Sequence, residues 1–121
     1  MVILGMINMK ETEIYIYENG DYYIGQFLND LFHGKGTKYY KNGNIKYDGD
    51  FIKDKYEGNG KENYLNGNYY IGQFLNGLKN GKGIIYYKNG KIKYESDFID
   101  GKKEGNGKFI YEDGSYYIGQ W

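Results

Sequence analysis

The stretch Tyr23-Ile24-Gly25-Gln26-Phe27 decides the fold, because Tyr70-Ile71-Gly72-Gln73-Phe74 repeats it 47 residues later. Between and after them stand two relatives, Tyr47-Asp48-Gly49-Asp50-Phe51 and Tyr94-Glu95-Ser96-Asp97-Phe98. A fifth copy, Tyr117-Ile118-Gly119-Gln120-Trp121, closes the sequence. Successive starts are 24, 23, 24 and 23 residues apart. A steady period of this size marks a repeat architecture in which each unit is one supersecondary element. Within each segment, rings and glycine alternate with polar or aliphatic residues at period two, which is the spacing of a strand.

The rest of each unit follows the same order. Gly34-Lys35-Gly36, Gly58-Asn59-Gly60, Gly81-Lys82-Gly83 and Gly105-Asn106-Gly107 come next. Then come Tyr40, Tyr64, Tyr87 and Tyr111, each followed by Asn-Gly or Asp-Gly. A helix would have to carry interior glycines that cost about 1 kcal/mol each against alanine. Asn-Gly and Asp-Gly signal hairpins whose two central residues take positive φ. Each unit therefore reads as two short strands, Tyr22–Leu28 and Gly34–Tyr40 in the first, joined by a loop over Asn29–His33. Side-by-side hairpins give an all-β, elongated single antiparallel sheet. The expected division is a capping segment over 1–14, a half unit over 15–22, units 23–46, 47–69, 70–93 and 94–116, and a partial unit 117–121.

Composition agrees. The chain has 121 residues, 20 glycines, 17 tyrosines, no proline and no cysteine. Sixteen basic residues balance sixteen acidic ones. Disordered chains are poor in aromatics, whereas here a fifth of the residues are aromatic. Disulfide scaffolds and cysteine-based zinc sites are excluded. Zero net charge argues against nucleic acid, whose binding needs clustered cations. The apolar run over residues 1–9 is far shorter than the ~20 residues that span a bilayer. It lacks the features of a signal peptide, so a terminal strand or cap is expected there, with a truncated junction to an upstream segment as the alternative. The absence of cysteine fits the cytosol.

Strand parity predicts the packing. Tyr23, Gly25 and Phe27 share one face, and Gly34, Gly36 and Tyr40 are assigned to it as well. The glycines clear space so that Tyr23, Phe27 and Tyr40 lie over bare backbone. Phe27, Phe51, Phe74, Phe98 and Trp121 should form a spine. Ser96 stands where the other units have glycine, and a slightly looser fit is expected there.

At these residues the chain resembles the MORN repeat family, whose unit is similar to Tyr-x-Gly-x-Trp/Phe, then Gly-x-Gly, then Tyr and an x-Gly turn. The resemblance covers Tyr17 to Trp121. It implies an elongated, twisted sheet of hairpins and non-catalytic roles: scaffolding, attachment to cytoskeletal or membrane structures, and contact with acidic phospholipids. Some such arrays are appended to enzymes, so an accessory repeat region of a larger enzyme is a further alternative.

No residue set points to catalysis, metal or cofactor. The one histidine, His33, falls in the expected loop without a partner, and a general base needs one. Gly34-Lys35-Gly36 and Gly81-Lys82-Gly83 lack the spacing, hydroxyl and helix of a phosphate loop. Asp48 and Asp50 lack the further oxygens and glycine of a calcium loop. The second face is more informative. It carries Tyr22, Ile24, Thr37 and Tyr39, then Tyr69, Ile71, Ile84 and Tyr86, then Tyr116 and Ile118. Between these lie Lys46, Asp48, Asp50, Asn59, Lys61 and Asn63, and later Lys93, Glu95, Asp97, Asn106 and Lys108. Either these apolar stripes pack internally or they are exposed for a protein partner or self-association. Lysines near Lys35 and Lys82 motivate the alternative, anionic phospholipid headgroups, which would place the chain at a membrane or cytoskeletal surface.

Overall fold

The computed structural model describes residues 9–121. Ten strands form one sheet in strict sequence order, each antiparallel to the next. They are β1 (Met9–Ile16), β2 (Tyr22–Leu28), β3 (Leu31–Tyr39), β4 (Ile45–Ile52), β5 (Lys55–Asn63), β6 (Tyr69–Leu75), β7 (Leu78–Tyr86), β8 (Ile92–Ile99), β9 (Lys102–Ile110) and β10 (Tyr116–Gln120). The expected capping segment falls largely on residues 1–8, outside the described residues; its remainder enters β1, which pairs with β2.

Two kinds of turn alternate along the sheet. Inside each unit a two-residue turn joins the strands at Asn29-Asp30, Lys53-Asp54, Asn76-Gly77 and Asp100-Gly101, with φ positive at both residues in every case. This is the primed turn whose twist matches its flanking strands. The expected loop over Asn29–His33 is thus corrected: Leu31, Phe32 and His33 already belong to β3. Neither residue pair in the first two turns has the usual Asn-Gly signature, which is why the turns are hidden in the sequence.

The Asn-Gly and Asp-Gly pairs that follow Tyr40, Tyr64, Tyr87 and Tyr111 serve the other connection, between units, whereas Asn76-Gly77 and Asp100-Gly101 form primed turns within units. At Tyr40–Asn44 only Gly43 has positive φ, at 92°. Gly43 N donates to Tyr40 O at 2.8 Å, and Asn42 Oδ1 accepts from Asn44 N at 2.9 Å. The same bonds recur at Tyr64–Asn68 and Tyr87–Lys91. Asparagine here closes a local side-chain turn and glycine takes the left-handed position after it. The expectation of two positive-φ residues at these dipeptides does not hold.

The core lies on one face of this single layer. Tyr23, Tyr47 and Tyr70 are fully buried, with Phe27, Phe32, Phe51, Phe74 and Phe98 beside them. Each buried tyrosine lies flat against two glycines, one two residues on in its own strand and one on the next strand. A Cβ on Gly72 would sit 2.5 Å from the Tyr70 hydroxyl oxygen, and one on Gly83 would collide with the same ring. Gly25 and Gly36 bear Tyr23 in this way, and Gly49 and Gly60 bear Tyr47. The hydroxyl then donates to the carbonyl three residues on: Tyr23 to Gln26 at 2.6 Å, Tyr47 to Asp50 at 2.8 Å and Tyr70 to Gln73 at 2.8 Å. Burial of the ring is therefore compatible with a satisfied hydroxyl.

The first glycine of each Gly-x-Gly does something else. Gly34, Gly58, Gly81 and Gly105 have φ between 66° and 89° and sit in bulges where the strand register shifts. Beside Gly34 and Gly81 lie the side-chain oxygens of Gln26 and Gln73, which accept from Lys35 N at 2.9 Å and Lys82 N at 3.1 Å. No ring lies over Gly34, so its assignment to ring packing is corrected. Tyr40 likewise lies beyond the strand, and its hydroxyl reaches across to Asn63 O at 2.9 Å.

Candidate functional site

The bulges change which side chains share a face. Phe32 pairs with Phe27 and stacks on Tyr23, with centroids 3.9 Å apart. Tyr56 covers Tyr47 in the same way at 3.7 Å. In the next two units a lysine takes this covering position. The Lys79 ammonium lies 5.3 Å from the Tyr70 ring, and that of Lys103 lies 3.9 Å from Tyr94. Stacked rings give way to cation–π contact with the architecture unchanged. This layer was illegible in the sequence because the position holds a ring in two units and a lysine in the other two.

Unit four departs from the others. Ser96 puts a Cβ where glycine stands elsewhere, and Tyr94 no longer occupies the flat site. Its ring meets Phe109 edge-on at 4.5 Å. The serine hydroxyl donates to Asp97 O at 2.7 Å. That carbonyl is the counterpart of the one the tyrosine hydroxyl reaches in units one to three. The bare backbone at Gly107 is covered by the Trp121 indole. Trp121, expected in the spine, is 40% exposed, whereas Phe98 is buried.

The second face carries the candidate site. Tyr22 stacks on Tyr39 with centroids 4.7 Å apart, and Tyr69 stacks on Tyr86 at 4.8 Å. Ile24 pairs with Thr37, and Ile71 with Ile84. Tyr116 and Ile118 on β10 begin the set again. Ile71 is 44% exposed, and Ile118 is 66% exposed. Ile14 and Ile16 on β1 extend the first stripe, since they pair with Ile24 and Tyr22. Ile45 and Ile92 widen the stripes on the other side, facing Tyr39 and Tyr86. These four isoleucines were missed, the last two because a one-residue bulge precedes Tyr47 and Tyr94. The same bulges turn Lys46 and Lys93 away from the second face, where parity had placed them. Their ammonium groups lie 5.5 Å from the Tyr40 and Tyr87 rings.

Charged stripes separate the apolar ones. Lys35 pairs with Asp50 at 2.6 Å and Lys82 with Asp97 at 3.1 Å. Thr37 Oγ1 donates to Asp48 at 3.2 Å. The Lys61 ammonium lies 4.5 Å from the Tyr69 ring. Lys35 and Lys82, around which the lysine groups that suggested headgroup binding lie, thus have carboxylate partners. His33 lies half-buried in β3 rather than in a loop. Among the described residues no group of three or more His, Cys, Asp or Glu is arranged to hold a metal ion. None of their helices is long and apolar enough to cross a membrane. An open cleft of about 510 Å³ lies between loops 87–91 and 111–115, lined by Tyr87, Lys91, Lys93, Tyr111, Glu112 and Asp113 among others. Its charges are mixed in sign.

A family model described as MORN repeat matches the chain four times, at residues 23–45, 47–69, 70–92 and 94–116. Among curated proteins nothing matches it. Repeats of this kind generally serve protein or lipid interactions and are typically non-catalytic. Four consecutive matches across most of the chain, on a sheet of consecutive hairpins with the tyrosine-over-glycine layer in three of its units, place this protein in the MORN repeat family.

Proposed function

We propose that this chain is a non-catalytic interaction array that holds protein-binding side chains at fixed spacing on its second face. One observation carries the reading: the apolar stripes, with Ile71 at 44% exposure and Leu75 and Leu78 nearly half-exposed, face outward while the rings of the core fill the opposite face. Exposed apolar patches rimmed by polar residues commonly mark interaction sites. The sheet beneath them is stiff, because each inner strand, β2 to β9, pairs along most of its length with both neighbours.

The test is a chain carrying Ile71→Asp and Tyr86→Asp, compared with wild type for proteins retained from extract of the source cells. Circular dichroism should show an unchanged sheet, and retention of specific partners should be lost. Unfolding of the variant would mean that the stripe is core. Unchanged retention would mean that another surface binds. Anionic lipid is the second candidate, and the carboxylates that pair with Lys35 and Lys82 weaken it. Clusters of four to eight lysines without such partners are the clearer sign of headgroup binding.

A further inference from the structure

The strand register aligns ten second-face residues in a single row across the sheet. In order from β1 to β10 the row reads Ile14, Ile24, Thr37, Asp48, Lys61, Ile71, Ile84, Glu95, Lys108 and Ile118. Its pattern is apolar, apolar, threonine, acid, base, apolar, apolar, acid, base, apolar. Read backwards about the Ile71–Ile84 midpoint, each acid falls on a base. From this reversal we infer that the second face binds a second copy of this chain, through a twofold axis that runs along the strands between β6 and β7.

The charges choose this arrangement. Turning a copy about that axis sets β6 over the partner's β7, β5 over β8 and β4 over β9. Lys61 then faces Glu95 of the other copy, and Asp48 faces Lys108, each contact occurring twice. Ile71 meets Ile84 and Tyr69 meets Tyr86 at the centre. An axis across the strands would stack every strand on its own counterpart, with Asp48 on Asp48 and Lys61 on Lys61. Shifting that arrangement by four strands sets Asp48 on Glu95 and Lys61 on Lys108. Like charges pressed together across an interface cost enough to reject a partner. Shape agrees as well, since sheets twist uniformly and a saddle is mapped onto itself by a twofold axis along its central strand. The two copies can nest as aligned sheets.

The contact is modest. The six strands from β4 to β9, at about 4.8 Å spacing and with some 20 Å of strand length, offer about 600 Å² on each copy. That is the size of a weak, reversible interface, and association in the micromolar to millimolar range is expected. The charged rows give orientation and the isoleucines and tyrosines give adhesion.

This inference rests on the second face being the binding face, so its test must separate the two. Sedimentation at a series of concentrations should show wild-type dimers. Lys61→Glu puts glutamate opposite Glu95 of the other copy, and Glu95→Lys puts lysine opposite Lys61. Each variant alone should dimerise at least about tenfold more weakly, one factor of ten being the change expected from a single mispaired contact. An equimolar mixture of the two single variants restores both pairings, so mixed dimers should return to wild-type affinity. The double variant Lys61→Glu/Glu95→Lys should also recover as a homodimer. Circular dichroism confirms that each variant keeps the sheet. A wild-type chain that stays monomeric at millimolar concentration overturns the inference. So does a Glu95→Lys chain that dimerises normally, or a mixture that fails to recover. Were self-association absent while Ile71→Asp/Tyr86→Asp still abolished partner retention, the binding face would stand and only its second-copy occupant would fall.

Discussion

Gly72→Ala is the sharpest perturbation of the core. A Cβ at Gly72 would lie 2.5 Å from the Tyr70 hydroxyl oxygen, 2.6 Å from Gly83 Cα and 2.7 Å from Lys82 O. Two of those three atoms are backbone on the neighbouring strand, which cannot swing aside as a side-chain tip could. The ring of Tyr70 has to leave its site, and β6 and β7 have to shift apart locally as well. Tyr70 is fully buried, and its loss of burial costs roughly 1.5–3 kcal/mol. The hydrogen bond to Gln73 O, 2.8 Å long, adds about 1 kcal/mol. Alanine recovers roughly 0.5–1 kcal/mol by restricting the unfolded chain. The net expectation is a destabilisation of about 1.5–3.5 kcal/mol. Urea denaturation followed by circular dichroism measures it, with hydrogen exchange of the β6 and β7 amides to localise it. Ser96 supplies the control. Tyr94 is already displaced there, so Ser96→Ala should cost less than about 1 kcal/mol, the worth of the serine hydrogen bond. If Gly72→Ala lies within about 0.5 kcal/mol of wild type, the usual range of surface substitutions, the ring-over-glycine account is refuted.

Other expectations follow from single features. Ser96→Gly should let Tyr94 enter the flat site and donate to Asp97 O, raising the urea midpoint and shifting the emission of Trp121, which now covers Gly107. Lys53 holds φ at 49° in a primed turn; Lys53→Asn should stabilise the chain by roughly 0.5–1 kcal/mol, since asparagine tolerates this conformation best after glycine. Alkaline pH should unfold the sheet. Burial is the main cause that raises Tyr17, Tyr23 and Tyr70 to about 12, and it pushes Tyr47, Tyr56 and Tyr64 further in the same direction. A raised folded pKa means stability that is complete below the unfolded value near 10 and is lost as pH rises toward 12. Ionisation of these six tyrosines, followed by tyrosinate absorbance, should be cooperative and coincide with loss of the sheet signal; their independent titration near the ordinary value would contradict it.

Much of the fold was legible because the relevant signals are local. Period-two alternation identifies strands, and recurrence every 23 or 24 residues identifies hairpins stacked in order. Tyr23 over Gly25 is a relation within one strand, two residues apart. The apolar stripes were also visible, since Tyr22 and Ile24, or Tyr69 and Ile71, alternate with the core residues on the same strand. The turn at Lys53-Asp54 was not visible, because tertiary closure of the hairpin forces positive φ on Lys53, a residue with no preference for it.

The sequence by itself determined the number of units, their strand content and the two-sided character of the sheet, since each depends on spacing along the chain. Only the tertiary structure decided which residues meet across strands. A bulge inserts one residue, and parity beyond it reverses; that is why Phe32 is core, Ile45 is on the second face and Lys46 is not. Register likewise decided that Asp48, Lys61, Glu95 and Lys108 stand in one row. Alternation is a property of one strand, whereas a row of charges exists only once every neighbouring strand has been paired.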